Sequence, residues 1–244
     1  MAMALSKKYK AILFDQRGTG KSWTKPMDTT TINLEFAVND IESLRVHLKI
    51  PRLIIYGHSW GAMLATAYTA HYPNKVKKLI LVGGGELSPK LTDAVNRNID
   101  LRIQLGDTTA CYHWTDSTVI AQDPVRAKHE LRKMTVSLMI YDQQKLDSIM
   151  VQVEHGAMNK EVNRLMWLSI TANKENWPEQ TRKKYKGETL IIFGWQDPIG
   201  LTTLSNYQYA YPAAKTVGIN ECGHMPSVEQ PEKFYKEVFD FLQQ

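Results

Sequence analysis

One five-residue segment constrains this chain more than any other: residues 57–61 read Gly-His-Ser-Trp-Gly. They stand between an apolar run at 53–56 and a run rich in helix formers that starts at Ala62. In a strand–turn–helix setting, Gly-x-Ser-x-Gly holds the serine on a sharp turn, and small residues two places to either side let strand and helix pass closely. The pattern therefore predicts that Ser59 is a nucleophile exposed above the end of a strand.

Apolar runs and helical segments alternate along the chain on both sides of that motif. The stretch 33–48 carries a single apolar stripe of helical spacing, with Asn33 as its N-cap. The predicted strands lie at 9–14, 53–56, 78–82, 189–193 and 216–219, and further helices at 62–72 and 232–242. Because apolar strands that alternate with helices are buried on both faces, we expect an α/β fold with a mostly parallel sheet flanked by helices.

The pattern changes in the middle of the chain. Residues 86–186 contain no convincing strand and several helical segments, including 127–139 and 162–170. This stretch is predicted to be a helical cap inserted between two strands. The core then comprises residues 1–85 and 187–244.

A serine hydroxyl needs a base, and the base needs an acid to orient it. Asp197 follows the predicted strand 189–193, and His224 follows the last strand. Since carboxyl ends of parallel strands share one edge of a sheet, both are expected beside Ser59. The backbone N–H of Trp60 is expected to donate to an oxyanion, and the remaining histidines are interpreted as surface or interior residues: His47, His58, His71, His113, His129 and His155.

Composition excludes several other classes of protein. Two cysteines cannot build a disulfide-rich scaffold or a cysteine-type zinc site. The net charge of +5 is scattered in lysine pairs, so no nucleic-acid surface is expected. No apolar run could span a bilayer and no signal peptide is visible, which predicts a cytoplasmic protein. Gly20-Lys21-Ser22 is no P-loop because Asp15 stands where a glycine is required, and no cofactor or metal is expected.

Four segments together carry a family resemblance. They are Phe-Asp-Gln-Arg-Gly-Thr-Gly-Lys-Ser at 14–22, Gly-His-Ser-Trp-Gly at 57–61, Gly-Trp-Gln-Asp-Pro at 194–198, and Gly223-His224. The chain resembles α/β-hydrolase-fold serine hydrolases, and specifically their prolyl iminopeptidase-like branch, for which Asp-Gln-Arg-Gly-x-Gly-x-Ser is close to diagnostic. The resemblance implies a capped α/β-hydrolase fold and a hydrolase for ester or amide bonds in small esters or short peptides.

The amino-terminal part departs from that family. Family members carry a His-Gly-Gly-Pro-Gly-like loop upstream that supplies an oxyanion-hole N–H, but only fourteen residues precede Asp15 here. We therefore expect the first three strands to be missing, the third of which would lie between 9–14 and 53–56. Three alternatives remain open for the position of the missing third strand. Either the segments 9–14 and 53–56 pair directly, or another chain fills the gap, or the chain is an incomplete version of a longer protein. An exposed strand edge would favour self-association.

The predicted helical cap also departs from the pattern of that family. Prolyl iminopeptidases bind the substrate amine with cap carboxylates, and Glu154 and Glu161 are the candidates here. Solvated helix faces explain these two glutamates better than substrate binding does, so esterase activity is as compatible with the sequence as aminopeptidase activity. The competing hypothesis is a catalytically weak or inactive α/β-hydrolase fold that binds small molecules or depends on a partner.

Overall fold

A four-stranded parallel sheet forms the centre of the molecule. The computed structural model describes residues 2–106, 108–154, 159–173 and 175–243. The strands are β1 (Leu53–His58), β2 (Val76–Val82), β3 (Glu188–Gly194) and β4 (Lys215–Ile219). They pair in parallel in the order β1-β2-β3-β4, which confirms the predicted parallel sheet.

Helices occupy most of the remaining chain. They are α1 (Ala2–Leu5), α2 (Leu34–His47), α3 (Trp60–His71), α4 (Thr92–Leu105), α5 (Thr108–Thr115), α6 (Ser117–Gln122), α7 (Pro124–Met139), α8 (Leu146–Glu154), α9 (Lys160–Ala172), α10 (Trp177–Lys184), α11 (Gly200–Ala210), α12 (Pro226–Glu229) and α13 (Pro231–Gln243). Short 3-10 turns lie at Pro73–Lys75, Pro89–Leu91 and Gln143–Lys145. The Asn33 side chain caps α2 by accepting from the Phe36 N–H, as predicted. Across the described ranges, no helix combines the length and the apolar character needed to cross a bilayer.

Alternating residues of the strands bury opposite faces of the sheet. Leu79 and Leu81 of β2 join the core cluster that includes residues of α2, α3, α10 and α11. Ile80 and Val82 join a second cluster, on the side of the sheet covered by α13. Both faces of the sheet are therefore covered, as the apolar strands predicted.

The described chain between β2 and β3 is helical, and α7 and α9 confirm two of the predicted helices. Ile140 and Ile149 of this region form a small cluster of their own, against which Met225 and Val228 pack. The last inserted helix, α10, instead contributes Trp177 to the main core. The segment between β2 and β3 therefore contacts the rest of the molecule in two places: beside the loop that carries His224, and at the main core through α9 and α10.

The predicted strand at 9–14 is wrong. This segment has no sheet partner among the described residues, and Leu13 is 81% exposed. It lines a cavity of about 440 Å³ together with residues 53–56 of β1, so it does not reach the backbone of that strand. Because a strand exists only through hydrogen bonds to a neighbour, an apolar sequence without one stays irregular. The two segments thus do not pair directly, and self-association through β1 stays a prediction.

Candidate active site

The turn between β1 and α3 holds Ser59 in a conformation that ordinary residues avoid. Its backbone has φ +55° and ψ −118°, which costs about 1–3 kcal/mol outside glycine. A Cβ on Gly57 would lie 2.4 Å from the carbonyl oxygen of Gly61, so strand and helix do pass too closely for a side chain there. A Cβ on Gly61 would meet nothing within 4 Å, so the second glycine is not required sterically.

Trp60 is the first residue of α3, directly after Ser59. Within the described chain its backbone N–H has no acceptor, as is usual at a helix start. The Ser59 N–H, by contrast, donates to the Val82 carbonyl of β2 at 2.9 Å. The indole of Trp60 points to the turn after residue 14, since its Nε1–H donates to Gln16 Oε1 at 3.0 Å. The Trp60 N–H is therefore available to a ligand bound beside Ser59.

Asp197 and His224 form a buried pair. His224 Nδ1 donates to Asp197 Oδ2 at 2.9 Å, and the Ile199 N–H donates to the other carboxylate oxygen at 2.9 Å. Burial disfavours both charged forms, but each partner stabilises the other. The pKa of Asp197 is consequently lowered, and that of His224 is raised by the charge and hydrogen bond of Asp197 and by the charge of Glu229. The pair has the orientation that a general base requires.

Gly83, just after β2, packs against this pair and directly follows Val82, whose carbonyl accepts from the Ser59 N–H. It has φ +47°, and a Cβ there would lie 2.9 Å from Asp197 Oδ2 and 3.1 Å from His224 Nδ1. The Ser59 hydroxyl makes no hydrogen bond within the described ranges. Such bonds are often long in unliganded enzymes and tighten on binding substrate. Asp197 and His224 are thus joined directly, whereas Ser59 lies beside them without a bond to either.

His58 directly precedes Ser59, but its side chain bonds to the loop of His224. Its Nε2–H donates to the backbone carbonyl of His224 at 2.7 Å, and the two rings lie 4.7 Å apart. Burial, together with the neighbouring charge of His224, lowers the pKa of His58 to about 4. His58 is therefore neutral near pH 7 and supports the loop of His224.

The sequence analysis missed Glu229, which anchors that loop. It is buried, and its carboxylate accepts from the N–H groups of Gly223 and Met225, both at 3.0 Å. It also accepts from Tyr141 and Asp142 in the inserted segment, at 2.7 and 3.3 Å. A carboxylate five residues after His224 is visible in the sequence, but its burial is not. Glu229 ties the inserted segment to the residues on either side of His224.

Glu229→Gln is expected to lower kcat about 10- to 100-fold with little change in KM, because an amide cannot accept from four N–H groups and leaves buried donors unpaired. Ester hydrolysis and Tm measured together test this, with exposed Glu232→Gln as the matched control. Losing the charge of Glu229 should also move the pH midpoint of kcat/KM downward, a shift that a purely structural role would not produce. An unchanged midpoint and kcat would contradict the positioning role.

The two glutamates predicted to bind the substrate amine, Glu154 and Glu161, are each paired with another side chain. Glu154 accepts from His129 Nδ1 at 2.6 Å, and Glu161 forms a bidentate pair with Arg164. Both pairs are solvent-exposed, and no contact joins either carboxylate to Ser59 within the described chain. His155 lies outside the described residues. Substrate binding by these two glutamates stays a prediction.

No group of three or more metal-ligating side chains occurs among the described residues. The arrangement that does occur is a strained serine, a histidine–carboxylate pair and a free N–H at a helix start. These are the parts that acyl transfer to water uses.

Comparison with known proteins agrees with this geometry. Residues 1–231 match the family model described as alpha/beta hydrolase fold. The chain is 29% identical to a proline iminopeptidase of Heyndrickxia coagulans over 249 residues, covering 98% of this chain and 83% of that protein. It is 51% identical to a proline iminopeptidase of Arabidopsis thaliana, but over 77 residues, which are 31% of this chain and 20% of that one.

The solved structures add support for the fold alone. An alpha/beta fold family hydrolase from Bacillus anthracis superposes with a TM-score of 0.71 at 18% identity. The match covers 93% of this chain and 80% of the other.

Proposed function

Since this chain belongs to the α/β-hydrolase fold family, we propose that it is a serine hydrolase in which Ser59, His224 and Asp197 form the catalytic triad. It is a hydrolase of the prolyl iminopeptidase-like type, similar to such an enzyme along nearly its whole length. The observation that carries the proposed triad is the 2.9 Å bond between His224 and Asp197, packed against Gly83 beside the Ser59 turn.

The proposed acylation step follows from that arrangement. Ser59 Oγ attacks the substrate carbonyl carbon while His224 Nε2 takes the hydroxyl proton, and the carbonyl electron pair moves onto oxygen. The Trp60 N–H donates to this oxyanion; one such donor contributes about 10²–10³ in rate. The imidazolium then gives its proton to the leaving alcohol or amine as the C–O or C–N bond breaks.

Deacylation repeats the same steps with water as the nucleophile. His224 takes a proton from water, the hydroxide attacks the acyl-Ser59 ester, and the proton returns to Ser59 as the acid leaves. Asp197 stays ionised throughout and stabilises the imidazolium. No cofactor takes part in this scheme.

The substrates proposed are small esters and short peptides. Proline iminopeptidase is the name of the relatives in two alignments, which supports an aminopeptidase. Esterase activity uses the same acyl-enzyme and is proposed alongside it.

A fluorophosphonate probe tests the proposed nucleophile because it reacts only with an activated serine. We expect the wild-type chain to be labelled at Ser59, as located by peptide mass spectrometry, and His224→Ala to slow labelling by about 100-fold or more. Heat-unfolded protein serves as the control and should not be labelled, because activation of the serine requires the folded site. No labelling of the wild type, or labelling that persists in Ser59→Ala, would favour the competing hypothesis of a small-molecule-binding or partner-dependent protein.

A further inference from the structure

The helix α4, in the segment between β2 and β3, is bonded to the loop that carries Asp197. Asn98 and Arg102 stand four residues apart on α4, so their side chains lie on the same face of that helix. The Asn98 side-chain amide donates to the Pro198 carbonyl at 3.3 Å, and the Arg102 guanidinium donates to the Gln196 carbonyl. The helix therefore holds the two backbone carbonyls on either side of Asp197.

The same guanidinium reaches the loop that carries His224 through the end of α7. Nη1 of Arg102 donates to the Leu138 carbonyl at 2.6 Å. The next carbonyl along the chain, that of Met139, accepts from the His224 N–H at 2.7 Å. Arg102 therefore binds α7 one residue before the backbone group that holds His224.

Gln196 connects the two loops directly. Its backbone N–H donates to the Cys222 carbonyl at 3.0 Å, and its Oε1 accepts from the Cys222 N–H at 2.9 Å. Cys222 precedes His224 by two residues. A guanidinium that holds Gln196 in place therefore also constrains the separation of Asp197 and His224.

The chemistry of an arginine suits this position. The planar guanidinium presents its N–H groups in fixed directions and can bind two acceptors at once, whereas a lysine ammonium is a single point charge. Burial lowers the pKa of Arg102, and the charge of Asp197 acts in the opposite direction, so the guanidinium lies within electrostatic reach of that carboxylate. Arg102 thus contacts the backbone around both members of the buried pair without bonding to either side chain.

We propose that Arg102 is a positioning residue that fixes the Asp197 and His224 loops relative to each other. This inference rests on the proposed function, because the placement of these loops affects the rate only if the pair takes part in catalysis. Without the guanidinium, the Gln196 and Leu138 carbonyls lose their donor and the loops can shift. A displacement of about 1 Å at a catalytic group can lower the rate about 100-fold.

Substitution of Arg102 tests the proposal by its effect on kcat and KM. Arg102→Gln should lower kcat for a p-nitrophenyl ester about 10- to 100-fold, with KM changed by less than about twofold. Arg102→Lys keeps the charge without the two-pronged geometry, so it should recover only part of kcat, and it replaces Arg102→Gln in the comparison if that variant does not fold. Exposed Arg97→Gln, also on α4, is the matched control, and Tm shows whether each variant is folded.

A second measurement does not depend on turnover. The proton between His224 Nδ1 and Asp197 Oδ2 should give a strongly downfield proton NMR resonance, because its charge-assisted hydrogen bond is buried. This resonance should be sharp in the wild type and in Arg97→Gln, and shifted upfield or broadened in folded Arg102→Gln. A contact that merely stabilises the fold would lower Tm and leave the resonance unchanged.

Three results would overturn the proposal: an unchanged kcat in Arg102→Gln, a lowered kcat with an unchanged resonance, or a kcat that Arg102→Lys restores completely. The last would show that the charge alone suffices. If the wild-type chain hydrolyses no ester or peptide, the proposed function fails by itself. The resonance in Arg102→Gln and Arg97→Gln then decides whether Arg102 positions the pair.

Discussion

Ser59→Ala is expected to lower kcat for p-nitrophenyl acetate by at least about 10³-fold, because members of a catalytic triad act as a unit and the remaining groups give only residual catalysis. Its Tm should stay within about 2 °C of wild type. Alanine occupies the same left-handed backbone position as serine, and the Ser59 hydroxyl has no partner within the described residues to lose. Turnover and thermal unfolding of the same preparation check both halves of the expectation.

Ser59→Gly separates chemistry from backbone strain. Glycine adopts φ +55° without penalty, so this variant should be equally inactive yet more stable, by about 2–4 °C for each kcal/mol of strain released. Activity above half of the wild-type value in Ser59→Ala would remove Ser59 from the mechanism. A Tm that falls in Ser59→Gly would show that the turn is not strained.

His224→Ala should be about as damaging as the serine change, and Asp197→Asn should lower kcat by about 10⁴-fold because the imidazole loses its orienting partner. In the wild type, kcat/KM should rise with pH, since only the neutral imidazole can take the proton. The raised pKa of His224 keeps it protonated to higher pH, so half of the plateau should be reached above about 6.5.

Asp197→Asn is expected to shift the pH midpoint of kcat/KM in the opposite direction, to lower pH. Burial lowers the pKa of His224, and Asp197 and Glu229 raise it, so without the Asp197 charge the midpoint should fall below that of wild type. His113→Ala, in the inserted helices, is the control for the loss of a histidine as such. A rate that survives His224→Ala but is lost in His113→Ala would show that another histidine is the base.

The predicted site residues could be named because their positions follow from local pattern. Ser59, Asp197 and His224 each lie in the segment that follows an apolar strand, and parallel strands place their carboxyl ends along one edge. The same reasoning could not find Glu229 or Gly83. Their roles depend on segments far along the chain, such as Tyr141 for the carboxylate.

The sequence by itself determined the strand–turn–helix around Ser59 and the parallel sheet, because apolar periodicity and turn residues act over a few positions. Only the tertiary structure decided that residues 9–14 form no strand and that Glu229 is anchored by four N–H groups. Hydrogen-bond partners and burial come from segments distant in the chain. The local sequence of an apolar run or of a single glutamate therefore does not show whether it has a partner in the folded chain.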